Sequence, residues 1–327
     1  MEDYPKISIV TPSYNQGQYL EETILSVLNQ NYPNLEYIII DGGSTDNSVE
    51  IIKKYADRIT YWVSEPDNGQ SHAINKGLEY CTGEIFNWLN SDDYYLDGAL
   101  LTIGRTFLEN PDCDIVAAKE FLFSSTKKEL TNGTFVSDDY TYTVFLGIFD
   151  QPCTFIKFST FKEILPLNTE FHYVMDSELY IRYLLKNGNR RIKKIDTPIN
   201  MFRLHETSKS VSLGYKFRSE KYIIEYEILS KLAAPFFLRK YIKRNMAKSM
   251  FLNYFIPLNL NKKEYVRHIC KREIPRLIAD KYDFLNRLYF LYFYIKYSDY
   301  SGKRFFKCLL ADYLFPSVYN LLKSKSV

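Results

Sequence analysis

Over roughly its first 120 residues the chain alternates short apolar runs with stretches of helical spacing, and this constrains its fold more than any other feature. Residues 6–11 form a β-type run. Residues 18–30 follow with helical spacing through Leu20, Ile24, Val27 and Leu28. Residues 35–40, 59–63 and 84–89 read as further strands, separated by helices over 47–55 and 71–80. This repeated order predicts an α/β fold, Rossmann-like, with a mostly parallel central sheet, right-handed crossovers and flanking helices. Residues 100–108 continue as helix and 114–118 as strand, and 121–142 is polar and loop-rich. A strand over 153–158, a helix over 177–186 and a strand over 191–201 come next. From Tyr215 onward the pattern is helical, with breaks expected near Pro235, Pro257 and Pro275. The expected organisation is an α/β domain over 1–214 and a helical region over 215–327.

Charge divides at the same place. Residues 1–214 hold 19 Lys/Arg and 30 Asp/Glu, and residues 215–327 hold 23 and 9. A basic tail with Leu, Phe, Tyr and Ile between its cations, as in 285–295, 305–310 and 313–322, suits the surface of an anionic membrane. Plain packing on the first domain, or a homodimer contact, is the competing expectation, and nucleic acid is set aside. The five cysteines are scattered without CxxC spacing, which argues against a zinc site and a disulfide framework and for a reducing compartment. A strand-like run begins within a few residues of Met1, and no stretch approaches the roughly 18 apolar residues of a membrane span. The expected location is cytoplasmic, peripheral at the inner face of the cell membrane.

In a wound α/β sheet, ligands bind beyond the carboxyl ends of the strands. The four polar loops there are Thr11-Pro12-Ser13-Tyr14-Asn15, Asp41-Gly42-Gly43-Ser44-Thr45-Asp46, Glu65-Pro66-Asp67-Asn68-Gly69-Gln70 and Asn90-Ser91-Asp92-Asp93. Several carboxylates around one crevice repel one another unless a cation or a donor-rich ligand is present. A hard divalent ion bridging a diphosphate resolves that repulsion. A GxGxxG turn, which a dinucleotide-dependent reductase needs after its first strand, is absent: that turn reads Pro12-Ser13-Tyr14-Asn15-Gln16-Gly17. The glycine-rich basic loop of a sugar-1-phosphate nucleotidylyltransferase is absent too.

With Ser8-Ile9-Val10 before the first loop and Ala73-Ile74-Asn75-Lys76-Gly77 after the third, these strings resemble glycosyltransferase family 2 in order and spacing. These are inverting enzymes of GT-A fold, here of the bacterial surface-polysaccharide type, and the likeness spans about 1–205. The resemblance implies an inverting glycosyltransferase that moves a sugar from a nucleotide-sugar, with UDP the expected nucleotide, to a glycan or lipid-linked acceptor. Thr11, Pro12, Tyr14 and Asn15 would line the nucleotide pocket, with Gln70, Asn75, Asn90 and Ser91 completing it. Asp41 would accept a hydrogen bond from the base. Ser44 and Asp46 read instead as turn and N-cap residues, and His72 as structural.

Asn90 stands where the family's metal-binding element has its first carboxylate. Asp92 is the last carboxylate of that element and would bind Mg2+ or Mn2+, with His205 completing the site; Asp93 would serve sugar binding or loop structure. In Met175-Asp176-Ser177-Glu178, Asp176 falls at the position of the catalytic carboxylate, although Met175 replaces the usual first acid. It would take the proton from the acceptor hydroxyl, with Glu178 in reserve. Gln151-Pro152 would shape the acceptor side. The alternative is a non-catalytic nucleotide- or glycan-binding subunit of a polysaccharide assembly system.

Overall fold

A computed structural model describes residues 3–205, 208, 214–250, 252, 254–257, 259–279, 292 and 296. Strands β1 (Ile7–Ser13), β2 (Leu35–Asp41), β3 (Tyr61–Ser64) and β4 (Ile85–Trp88) alternate with helices α1 (Gly17–Leu28), α2 (Ser48–Lys54) and α3 (Gln70–Leu78). All four strands run parallel, side by side as β3-β2-β1-β4. The order then becomes less regular: β5 (Tyr94–Tyr95), α4 (Ala99–Glu109), β6 (Ile115–Phe123), β7 (Lys128–Leu130), α5 (Tyr140–Leu146), β8 (Thr154–Lys157), α6 (Phe158–Lys162), α7 (Met175–Asn187) and β9 (Ile192–Arg203). The sheet continues from β4 as β8-β6-β9-β5, with β7 paired to β6.

This second half is mixed. β8 is antiparallel to both β4 and β6, β9 is parallel to β6, and β5 is antiparallel to β9. The parallel sheet read from the sequence is thus the first four strands, and the remainder is a mixed extension of it. The loop-rich stretch 121–142 contains the end of β6, all of β7 and the start of α5. Exposed residues make up all of β7, so it carries no alternation to read.

Alternation along the strands sends side chains to two cores. Ile7, Ile9 and Ile39 pack with Leu20, Ile24 and Ile103 of α1 and α4. Val10, Ile38 and Ile40 join Ala73 and Ile74 of α3 on the other face. Helix α3 approaches this face closely at Gly77, where an added Cβ would stand 2.6 Å from Val10 Cγ1. That contact gives the Ala73–Gly77 string a packing reason.

Among the described residues, three helices follow the sheet: α8 (Gly214–Lys231), α9 (Phe236–Arg244) and α10 (Lys262–Ala279). Pro235 caps α9, and Pro257 lies between α9 and α10. The break expected near Pro275 is not there, because α10 runs through it to Ala279. A proline removes one intrahelical bond, a cost that packing of the surrounding turns can offset. Ile223, Ile228, Leu238, Ile242, Val266 and Ile269 are buried in the same cluster as Val10, Ile38 and Ile40. The described part of the basic region therefore shares its core with the α/β domain, and residue 214 does not separate two cores. The tail segments 285–295, 305–310 and 313–322 lie outside the described residues, save Tyr292.

Between β6 and β9, Glu120 is buried and accepts a bond from Asn200 Nδ2 at 3.0 Å. Burial, and then the charge of Asp150, push its carboxyl up to about 8, against the opposing bond from Asn200. The folded chain holds a proton there that the unfolded chain releases near the ordinary value of 4.5. The stability this group contributes is complete below that value and is lost as pH rises toward about 8. Glu120→Gln keeps the shape and removes the charge, so it is expected to raise Tm more at pH 8 than at pH 5 in circular-dichroism melts. Equal shifts at both pH values would show that Glu120 does not titrate in this window.

Candidate active site

The loops beyond β1 to β4 converge on a cavity of about 950 Å³. Pro12, Ser13, Tyr14 and Gln16 reach it from the first loop, and Gly42 and Gly43 from the second. Pro66, Asp67 and Gln70 come from the third, and Asn90, Ser91 and Asp92 from the fourth. Gln151, His172, Tyr173, Met175, Asp176 and His205 supply further wall. Ser13 Oγ and Gln16 Oε1 are buried with no hydrogen-bond partner among the described residues. Buried polar atoms that face a cavity in this way are groups a polar ligand satisfies.

Two residues far apart in sequence meet at the fourth loop. Asp92 Oδ2 and His205 Nε2 are 3.0 Å apart. The loop is tied down from β9. Arg203 Nε donates to the Asp92 carbonyl at 3.0 Å, and Arg203 N–H donates to Asp93 Oδ1 at 2.9 Å. The Arg203 guanidinium lies 4.6 Å from the ring centroids of both Tyr19 and Phe123, and it pairs with Glu22. Asn90 Oδ1 accepts from Gln70 Nε2 at 2.7 Å, which joins the third loop to the fourth.

The donor set of one carboxylate oxygen and one imidazole nitrogen fits a hard divalent cation. No group of three or more His, Cys, Asp or Glu able to hold a metal occurs among the described residues. A cation here would take two ligands from the protein and the rest from diphosphate oxygens and water.

Six residues expected at the site do not line the cavity. Thr11 is buried within the sheet, its Oγ1 accepting from Tyr37 Oη at 3.1 Å. Asn15 bridges the first two loops: its N–H donates to Ser44 Oγ, and its Oδ1 accepts from Thr45 N–H, both at 2.8 Å. Asp41 is fully buried and accepts from Gly43 N–H, Ser44 N–H, Ser44 Oγ and Ser64 Oγ. Its carboxylate holds the turn that carries Gly42 and Gly43 to the cavity. Asn75 clamps the backbone of Leu167 with two bonds of 2.9 Å. Asp93 is buried, and burial followed by the charge of Asp92 pushes its carboxyl well above the usual range; of its two expected roles, this position fits loop structure. Glu178 is buried one helical turn into α7, pairing with Arg182 at 2.9 Å and accepting from Tyr254 Oη at 3.0 Å. The core side of α7 takes it away from the cavity that Asp176 lines.

Ser44 serves the turn, as read from the sequence, and Asp46 serves two helix starts, although Asn47 rather than Asp46 occupies the N-cap of α2. Asp46 accepts from Ser48 N–H at 3.0 Å and from Gly17 N–H at 2.9 Å, at the starts of α2 and α1. Partial burial pushes its carboxyl up, but these bonds outweigh that and hold it below the usual range. His72 Nδ1 accepts from Asn68 N–H at 3.2 Å, a local loop contact. Gln151 lines the cavity with its amide bonded to Asn87 Oδ1 and the Trp88 carbonyl.

The mount of Asp176 could not be read from the sequence. Its Oδ1 accepts from Ser177 N–H at 2.7 Å. Just before it, the N–H groups of His172, Tyr173 and Val174 all donate to the buried carboxylate of Glu220, at 2.8–3.2 Å. A single acid on α8 thus caps the segment that leads into α7. Hydrogen bonds to a charged acceptor contribute about 1.5–3 kcal/mol each, so Glu220→Ala is expected to cost at least about 3 kcal/mol in urea unfolding. Glu220→Gln keeps one acceptor and should cost less. An unchanged midpoint for Glu220→Ala would show that the cap does not hold this segment.

A family model described as "Glycosyl transferase family 2" matches residues 8–165. The chain is 25% identical to an uncharacterized glycosyltransferase of Rickettsia typhi, over 84% of this chain and 90% of that one. It is 29% identical to the GalNAc(5)-diNAcBac-PP-undecaprenol beta-1,3-glucosyltransferase of Campylobacter jejuni, over 70% of this chain and 74% of that one. The crystal structure of S. aureus TarS 1-349 in complex with UDP is similar in fold, with a TM-score of 0.55 at 17% identity over 89% of this chain and 88% of that one. The chain is thus a glycosyltransferase of GT-A fold, and its residues 8–165 match the glycosyl transferase family 2 model.

Proposed function

We propose that the protein transfers a sugar, with inversion, from a UDP-sugar to a hydroxyl of a glycan or lipid-linked acceptor in cell-surface polysaccharide assembly. The observation that carries this reading is the shared cavity: Asp92, His205 and Asp176 all line it, although 113 residues separate Asp92 from His205. The UDP complex of TarS and the undecaprenol-linked acceptor in the name of the Campylobacter relative favour the donor and acceptor classes. The nucleoside diphosphate would sit against Pro12, Tyr14, Gln70, Asn90 and Ser91, where Ser13 Oγ can donate to a phosphate oxygen and Gln16 Oε1 can accept from a ribose hydroxyl or the base.

Asp92 and His205 would hold Mg2+ or Mn2+, and the bound ion would supply neutralisation of charge on the leaving diphosphate. Asp176, oriented by Ser177 N–H, accepts the proton of the acceptor hydroxyl. The acceptor oxygen forms its bond to the anomeric carbon as the bond from that carbon to the diphosphate oxygen breaks, and the nucleoside diphosphate leaves. A thermal-shift screen of nucleotide-sugars with Mn2+ or chelator tests the donor assignment. A metal-dependent rise in Tm with UDP-sugars is expected, and a rise only with another nucleotide would move the assignment to that donor.

The excess of Lys and Arg beyond residue 214 favours peripheral contact with an anionic bilayer near a lipid-linked acceptor. No helix of the described residues is long and apolar enough to cross a membrane. Co-sedimentation with anionic liposomes is expected at low salt and is expected to fall as salt screens the charges. Protein remaining in the supernatant at low salt would assign the basic region to packing or dimerisation.

A further inference from the structure

A second cavity, of about 330 Å³, lies beside the first. Phe217 lines both. Val174 and Ser177 line the small cavity, whereas Met175 and Asp176, between them in sequence, line the large one. The start of α7 is therefore the partition, and the small cavity adjoins the proposed base.

Its polar lining is mainly cationic. Arg218 and Lys221 come from α8, Arg272 and Arg276 from α10, and Glu225 is the one carboxylate. Arg272 is held by Glu225 and by Glu273, the latter at 2.6 Å, and Arg276 pairs with the same Glu273 at 2.6 Å. Two carboxylates thus face four cations. Arg218 is exposed and has no ion-pair partner among the described residues. Lys221 Nζ donates to the Leu146 carbonyl at 2.6 Å. Burial lowers the affinity of Lys221 for its proton. Glu225 opposes that shift, and the nearby Arg272 and Arg276 add to it.

Like charges gathered in a part-buried site repel one another, and an anion relieves the repulsion. The guanidinium of Arg272 is already fixed by its two acids, so little ordering is left for a ligand to impose. Leu146, Ile148 and Phe149 add apolar wall, and Ile148 is 45% exposed.

We propose that this cavity binds a phosphate or diphosphate group of the acceptor and thereby places the acceptor hydroxyl at Asp176. The inference rests on the glycosyl-transfer reading above and deepens it by naming the anionic handle of the acceptor. A lipid diphosphate and a soluble phosphate ester share this chemistry. Apolar wall beside the cations gives the lipid form an extra contact.

The test uses full-length protein in chelator, titrated with inorganic pyrophosphate and with farnesyl diphosphate and followed by calorimetry. At least one of the two is expected to bind, with affinity falling as salt rises. Arg218→Glu, at an exposed position, and Lys221→Gln are each expected to weaken binding at least tenfold while leaving acceptor-independent nucleotide release from the donor unchanged. Tighter binding of farnesyl diphosphate than of pyrophosphate indicates a lipid headgroup, and equal binding indicates a phosphate ester without a lipid requirement. No binding of either probe at low salt, or binding that Arg218→Glu leaves intact, overturns the proposal. If the wild type releases no nucleotide from any donor, the transfer reading falls, and the titrations still decide the anion site.

Discussion

Asp92→Ala is expected to lower kcat by on the order of 10³-fold and to abolish the metal-dependent part of nucleotide binding. Asp92 is the carboxylate that lines the cavity from the fourth loop, and it meets His205 there at 3.0 Å. With two protein ligands for the cation, removing one leaves the imidazole alone against a hydrated ion. Charge stabilisation by a bound cation is worth several kcal/mol in the transition state, and about 4 kcal/mol corresponds to roughly 10³ in rate. The fold should survive, because Arg203 holds this loop through the Asp92 carbonyl and the Asp93 carboxyl rather than through the Asp92 side chain. His205→Ala is expected to cost less, since a water can take its place. Wild-type turnover by Asp92→Ala, or full wild-type activity in chelator, would end the metal assignment.

Asp176→Asn is expected to lose about 10²–10⁴ in kcat, the usual contribution of a positioned base, while its affinity for donor stays near wild type. An amide keeps the oxygen that accepts from Ser177 N–H but cannot take a proton from the acceptor. Glu178→Gln separates the two acids of α7 by a different signature. Glu178 is buried against Arg182 and Tyr254, and neutralising one partner of a buried pair costs about 3–5 kcal/mol. Glu178→Gln should therefore lower Tm, with the activity per folded molecule retained. If Glu178→Gln kills turnover in folded protein while Asp176→Asn turns over normally, the base is Glu178 and the geometry of α7 has been misread.

The first four strands and their loops were legible because β1, β2 and β4 bury nearly every residue, β3 is half-buried throughout, and each loop starts with polar residues at the strand end. Which of those polar residues face the cavity was not legible. Asp41 ends β2 and Asp92 stands in the loop after β4, both at the carboxyl edge of the sheet, yet Asp41 is fully buried with four donors and Asp92 meets His205 at the cavity. The difference lies in the neighbouring backbone, which spacing does not report. Strand β5 is two residues long, too short for any periodicity.

The basic region hides a different kind of detail. Helix α8 buries Glu220, Glu225 and Glu227 alongside Tyr222, Ile223 and Ile228, so its buried surface is not a simple apolar stripe. A net charge counts these acids as solvent-facing, whereas Glu220 caps the approach to α7 and Glu225 grips Arg272. Charge summed along a chain cannot show which charges are spent inside. Helices after residue 214 share a buried cluster with the sheet, which the change of charge at that position does not report.

Release of nucleotide from a UDP-sugar by the purified protein, with and without Mn2+, tests the central claim most directly. Slow release without acceptor is expected in Mn2+, is expected to vanish in chelator and in Asp92→Ala, and should drop sharply in Asp176→Asn although that variant still binds the donor. Release that persists undiminished in Asp92→Ala and Asp176→Asn would show that the cavity joining these residues is not where the sugar is transferred.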